Sequence, residues 1–204
     1  MQDAVPVGTG GMLAVLGLED DQVVKACGDL QEKARSSGLK NCVLEAANFN
    51  SPGQVVVSGH QKALEYMQTH LLAADYGGSR AKLIPLAVSA PFHSSLMKPA
   101  AERLKTQLSK NKWNKSLQFP IIHNVNAEKN SDSSRIENLL YEQVTKPVLW
   151  TSSIKNAKGF GADHFAEVGA GRVLTGLIKK IEPEVLTLNI DTIENLKKCR
   201  EVLK

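Results

Sequence analysis

Cys42-Val43-Leu44-Glu45-Ala46-Ala47-Asn48-Phe49-Asn50-Ser51-Pro52-Gly53-Gln54-Val55-Val56-Val57 decides the fold. The apolar start at Cys42 to Leu44 and the β-branched run ending at Val57 read as two strands. The Asn, Ser, Pro and Gly between Asn48 and Gly53 read as the turn that joins them into a hairpin. Upstream, Met12 to Leu16 reads as a strand, and Asp20 and Asp21 open a helix whose apolar stripe (Val23, Cys27, Leu30, Ala34) stops at Gly38. Downstream, Leu64, Met67 and Leu71 mark a second helix, Gly77-Gly78 breaks it, and a fourth strand runs from Lys82 to Val88. The order βαββαβ predicts a ferredoxin-like subdomain over residues 12–88, with two helices covering one face of an antiparallel sheet.

Beyond Val88 the periodicity changes. A helix from Ser95 turns Met97, Ala101, Leu104 and Leu108 inward, and a Lys/Asn-rich loop over 109–115 follows. Phe119 to Ile122 reads as a strand buried on both faces, and residues 126–134 read as a polar surface insertion. Asp132 or Ser133 caps a helix that presents Ile136, Leu139, Leu140 and Val144 to the interior. A helix after Trp150, a strand at 164–168, a helix at 172–181, a strand at 185–190 and a last helix from Asp191 alternate, which predicts a parallel sheet. This half has too few strands to protect both sheet edges, so exposed apolar edges are expected.

The chain has 204 residues, 42% hydrophobic and 23% charged, enough for one sizeable core or two small ones. No apolar run approaches the ~18 residues of a membrane span, and no basic stretch followed by an apolar one opens the chain. The reading is therefore of a soluble, cytoplasmic protein with no membrane partner. Cys27, Cys42 and Cys199 are widely spaced in apolar patterns and read as reduced core thiols. A net charge of +4, scattered over polar helix faces with few aromatics between, argues against nucleic acid as a partner. It suits an acidic protein or a phosphate-bearing ligand.

Ser89-Ala90-Pro91-Phe92-His93-Ser94-Ser95-Leu96-Met97 sets a histidine where a strand stops and a helix begins, the rim position of a general base. A base needs a nucleophile. Ser94 and Ser95 lie at the helix entry, where capping is the common role, and Gly77-Gly78-Ser79-Arg80-Ala81 misses the Gly-x-Ser-x-Gly elbow because it precedes a strand. Gly169-Ala170-Gly171-Arg172-Val173-Leu174-Thr175-Gly176 follows a strand and opens a helix, but Leu174 breaks the dinucleotide pattern. A strand-to-helix turn remains, with amides able to line a cleft. His60, His70, His123 and His164 show no metal-ligand spacing and read as structural or exposed. Asn48 and Asn50, two carboxamides around Phe49, can hydrogen-bond a ligand amide or carbonyl.

Stretches spread over nearly the whole chain resemble malonyl-CoA:acyl carrier protein transacylase. They are Met1-Gln2-Asp3-Ala4-Val5-Pro6, Gly8-Thr9-Gly10-Gly11-Met12, Asn48 to Val56, Ser89 to Ala100, Pro147-Val148-Leu149-Trp150 and Glu167 to Leu174, in that order. The resemblance implies an α/β acyltransferase: a partial α/β-hydrolase-like large subdomain, residues 1–11 and 89–204, into which the ferredoxin-like subdomain is inserted. It implies transfer of malonyl from coenzyme A, by way of a serine ester, to the phosphopantetheine thiol of acyl carrier protein in fatty acid synthesis, with no cofactor and no metal. It makes His93 the proton shuttle and Gln143 the residue whose backbone carbonyl orients the imidazole. It sets Asn48 and Asn50 near the substrate cleft and Phe92 as the ring limiting room beside the malonyl C2 carbon. Malonyl-CoA and acyl carrier protein are the implied partners, and the complete protein is expected to be a monomer, in the cytoplasm or, in a eukaryote, in the mitochondrion or plastid.

Departures from the family pattern carry their own expectations. The Gly-Gln-Gly-Ser-Gln loop, the Gly-His-Ser-x-Gly elbow with the nucleophile, and the malonyl-binding arginine do not occur in these residues. The chain therefore reads as roughly the C-terminal two-thirds of a family member, inactive and poorly stable by itself. A split transacylase, or a non-catalytic module binding acyl carrier protein or coenzyme A, is the alternative. Ala170 stands where the family usually has Pro, and His123 where it often has Asn.

Overall fold

In the computed structural model, which describes residues 5–6, 8–114 and 116–202, the first apolar run becomes a strand buried on both faces. Met1 to Ala4 of the first resemblance motif lie outside the described residues. Strand β1 (Gly10–Leu16) sends Leu13 and Val15 to one side and Met12 and Ala14 to the other. Helix α1 (Asp20–Ser36) starts where the Glu19 amide donates to Gln22 Oε1 at 2.9 Å. It carries Asp20 and Asp21 in its first turn and Lys33 and Arg35 in its last, as the helix dipole favours. Strands β2 (Leu44–Ser51) and β3 (Gln54–His60) form the hairpin, helix α2 (Gln61–His70) follows, and β4 (Lys82–Pro85) closes the unit. The sheet is antiparallel in the order β2-β3-β1-β4.

Both helices pack on the Leu13 and Val15 face, where Val23, Cys27 and Leu30 of α1 and Leu64 and Met67 of α2 meet Leu44, Val55 and Val57. Each fully buried Leu, Val or Met there contributes about 1.5–3 kcal/mol. The opposite face is covered more thinly, by Leu86 and Phe92 over Met12, Ala14, Ala47 and Val56. Two glycines permit this packing. Gly53 takes φ 68° in the tight turn, and a Cβ on Gly59 would lie 1.9 Å from the Val43 carbonyl oxygen.

The described structure corrects several expectations within this unit. The hairpin turn is not Asn48 to Gly53: β2 continues to Ser51, and only Pro52 and Gly53 turn. The polar Asn48-Phe49-Asn50 stays extended because it is paired on both sides, with β3 and with Val148. The fourth strand covers only Lys82–Pro85, with one further bond to β1 from the Leu86 amide to the Met12 carbonyl at 3.0 Å, and does not run to Val88.

In the second half, a 3-10 turn at Ser95–Met97 leads into α3 (Lys98–Leu108). Phe119 to Ile122 is not a doubly buried strand. Only β5 (Ile121–Ile122) is extended, and Phe119 and Ile121 are 70% and 40% exposed. Residues 126–134 are not a plain surface insertion either. Here β6 (Lys129–Asn130) pairs with β5, and Ala127, Asn130 and Ser133 are buried. The Asp132 carboxylate accepts from the Ser134 amide and starts a 3-10 turn before α4 (Ile136–Gln143), where Leu140 faces outward, 37% exposed. Helix α5 (Trp150–Gly159), β7 (His164–Val168), α6 (Val173–Ile181), β8 (Leu186–Ile190) and α7 (Ile193–Val202) complete the chain. The β7-β8 pair is parallel, as a helical crossover requires. Val168 and Val173 beside it are 77% and 71% exposed.

Candidate functional site

His93 sits in the segment that leaves β4 and enters α3, between the thinly covered sheet face and the end of α4. Its backbone is left-handed, φ 58°, a conformation that costs an L-residue about 1–2 kcal/mol. Its ring Nδ1 lies 2.9 Å from the main-chain oxygen of Gln143. A carbonyl can only accept, so Nδ1 carries the proton and the neutral ring leaves Nε2 as its lone-pair nitrogen. No described residue bonds to Nε2.

Several elements hold that carbonyl in place. The Gln143 side-chain amide donates to the Lys146 and Pro147 carbonyls, each at 3.1 Å, and so tightens the turn after α4. Val148, the next residue, joins the outer edge of β2: its amide donates to the Ala47 carbonyl at 2.8 Å, and its own carbonyl accepts from the Phe49 amide at 2.9 Å. Thr151 Oγ1 adds a bond to the Phe49 carbonyl at 3.1 Å. The Pro147 to Trp150 and Asn48 to Gln54 motifs, remote in sequence, are thus neighbours.

Met12, Asn48, Asn50, Val56, Leu86, Phe92 and His93 line an open pocket of about 450 Å³. Four of the five site residues that the resemblance implies, Asn48, Asn50, Phe92 and His93, line it, and the fifth, Gln143, reaches it by way of the imidazole. On its other side His93 borders an apolar pocket of about 430 Å³ with Val24, Cys27, Glu45 and Thr145 on its walls. Both nearby serines have other work. Ser94 is buried with Oγ donating to the Pro91 carbonyl at 2.7 Å, and Ser95 donates through Oγ and its amide to the two oxygens of Glu45, at 2.6 and 2.7 Å. Sequence reasoning misses Glu45, whose partner lies 50 positions away and which shows only as one acid in an apolar strand.

The remaining candidates fall away from this site. The amides of Leu174 and Thr175 at the start of α6 are occupied by the Glu167 carboxylate at 3.1 and 2.7 Å, so the glycine-rich turn does not present them to a cleft. These bonds, the Thr175 amide first, hold the Glu167 carboxyl below its ordinary range. His60 and His123 have their ring pKa lowered, chiefly by burial. His60 Nδ1 accepts from the Val43 amide, and His123 lies beside Asn130. His70 stacks on Tyr66, and His164 pairs with Asp163. Among the described residues no group of three or more His, Cys, Asp or Glu is placed to hold a metal ion. Cys27, Cys42 and Cys199 are buried free thiols, and among the described residues no helix is long and apolar enough to cross a membrane.

Fold and site together define a mixed α/β protein with an imidazole fixed by a main-chain carbonyl at the wall of a pocket. By sequence and by fold, the proteins that the chain is similar to are malonyl CoA-acyl carrier protein transacylases. No protein-family model matches it. It is 43% identical over 181 residues to the transacylase of Salmonella typhimurium and 39% identical over 201 residues to that of Staphylococcus aureus, covering 89% and 98% of this chain. The chain spans 54% and 61% of the length of those relatives. The solved transacylase of Clostridium perfringens superposes with a TM-score of 0.85 at 39% identity, over 100% of this chain and 60% of its own. A malonyl-transacylase solved in complex with a type II PKS acyl-carrier protein superposes with a TM-score of 0.86 at 34% identity, over 98% and 61%.

Proposed function

We propose that the chain supplies the proton-carrying half of a malonyl-CoA:acyl carrier protein transacylase. The observation that carries this reading is the bond from His93 Nδ1 to the Gln143 carbonyl, which fixes the tautomer with Nε2 free to act as a base. The order and pairing of β1 to β4 support a ferredoxin-like subdomain over 12–88, and the β7-α6-β8 unit supports 1–11 and 89–204 as part of an α/β-hydrolase-like subdomain.

In this reading Nε2 takes the proton of a serine hydroxyl as its oxygen attacks the malonyl thioester carbon. The carbon–sulfur bond breaks, and the imidazolium returns the proton to the departing coenzyme A sulfur. Next, Nε2 takes the proton of the phosphopantetheine thiol of acyl carrier protein, whose sulfur attacks the serine ester and releases the hydroxyl, reprotonated by His93. No Gly-His-Ser-x-Gly sequence occurs in the 204 residues, and in this reading the serine lies outside them. Asn48 and Asn50 hydrogen-bond the substrate from the sheet side, and Phe92 narrows the space beside the malonyl C2 carbon. No cofactor enters the scheme.

The test joins this chain to the segment of the Staphylococcus aureus relative outside the match and measures malonyl transfer from malonyl-CoA to acyl carrier protein. His93→Ala is expected to lower the transfer rate by at least about 100-fold, in line with the loss of a general base. Transfer unchanged by that substitution overturns the reading.

A further inference from the structure

We infer that Glu45 is a positioning residue that sets the His93 imidazole by way of Ser95; the inference rests on His93 being the proton carrier proposed above. A histidine at φ 58° keeps that backbone only when its neighbours hold it there. Around the residue, Ser94 Oγ closes back on the Pro91 carbonyl at 2.7 Å. Two positions beyond it, the Ser95 amide donates to Glu45 Oε2 at 2.7 Å and Ser95 Oγ donates to Glu45 Oε1 at 2.6 Å. One carboxylate therefore takes both donors of the residue from which α3 is entered. An ionised carboxylate suits this because it only accepts and has two oxygens, and its bonds are charge-assisted.

Glu45 is fixed in turn. It lies in β2 opposite Ser58 of β3, and three positions on the same strand Asn48 bridges Val148, at the end of the turn that carries the Gln143 carbonyl. Strand β2 thus holds both ends of the imidazole's geometry: the backbone after His93 by way of Glu45, and the acceptor of Nδ1 by way of Val148. Removing the Glu45 link leaves the ring's partner in place but frees the backbone that aims the ring at it.

The test uses the 204-residue chain labelled with ¹⁵N-histidine and reads the Nδ1–H signal of His93 by NMR, assigned with His93→Ala. Wild type is expected to show the Nδ1–H tautomer with a slowly exchanging proton. In Glu45→Ala that proton exchanges at least about tenfold faster and the tautomers mix, the size expected for loss of hydrogen bonds to a charged group. Glu45→Gln, which keeps one acceptor and can donate to Ser95 Oγ, restores most of the wild-type signal. Ser95→Ala removes one of the two bonds and gives a smaller acceleration, and it decides the matter if Glu45→Ala does not fold. An unchanged His93 signal in a folded Glu45→Ala, or in Ser95→Ala where Glu45→Ala fails to fold, overturns the positioning role. That failure is distinct from failure of the proton-carrier reading, in which the NMR effect of Glu45 stands while transfer in the joined protein survives His93→Ala.

Discussion

Cys27 and His93 border the same apolar pocket in different surroundings. Burial among the α1 side chains, with the negative charge of Glu45 adding to it, pushes the Cys27 thiol up to about 12, so it stays protonated at neutral pH. Iodoacetamide at pH 8 is expected to leave Cys27 unmodified in the folded chain and to alkylate it in urea, as read by mass spectrometry. Rapid labelling of Cys27 without denaturant would contradict the packing described for α1. The histidine keeps its ring at a pocket wall, one nitrogen committed to a carbonyl and the other without a described partner. The local sequence showed the residue type and its place before a helix. It did not show the left-handed backbone, or the partners 50 residues away that bond to the His93 ring and to Ser95 beside it.

At the scale of single elements, α6 is set by a carboxylate from the strand before it. Glu167 of β7 accepts from the Thr175 and Leu174 amides, which favour its charged form and hold its carboxyl below the ordinary glutamate value of 4.5. A depressed folded-state pKa stabilises the fold above the unfolded value, and that stabilisation is lost as pH falls through the folded one. Glu167→Gln is expected to lower the melting temperature by a few degrees at pH 7. The gap to wild type should close as both are acidified from the ordinary glutamate value of 4.5 down through the lower folded-state one, followed by circular dichroism. A gap that persists at low pH would mean that the amides are satisfied in another way. Elements with a clear apolar period were legible: the stripes of α1 and α2, and the pairing of β2 with β3, follow the side chains that must leave water. Asn48-Phe49-Asn50 was misread as a turn because composition carries the intrinsic preference of Asn but not the Val148 segment that pairs with it. Phe119 to Ile122 was misread because an apolar run reports what a residue prefers, not what lies beside it.

Across the whole molecule the two halves differ in how completely they cover their sheets. The β2-β3-β1-β4 sheet has a deep core against α1 and α2, whereas the β7-β8 pair has Val168, Val173, Leu186 and Ile193 substantially exposed around it. Amide hydrogen exchange is expected to be slowest in β1 and β3 and faster in β7 and β8, by roughly two orders of magnitude, because local opening there uncovers less buried apolar surface. Equal protection in both sheets would contradict the difference in packing.

The sequence alone determined the order of the main strands and helices, the buried stripes of α1 and α2, the likeness to transacylases and the histidine at the strand-to-helix junction, because these are written in apolar periods within single segments and in short motifs kept in order. Tertiary structure alone decided which nitrogen of His93 carries the proton, that Asn48 and Asn50 face the pocket from a strand, and that Glu45 grips Ser95. Those facts depend on hydrogen bonds between segments far apart in sequence, and such a bond leaves no periodic trace in either segment.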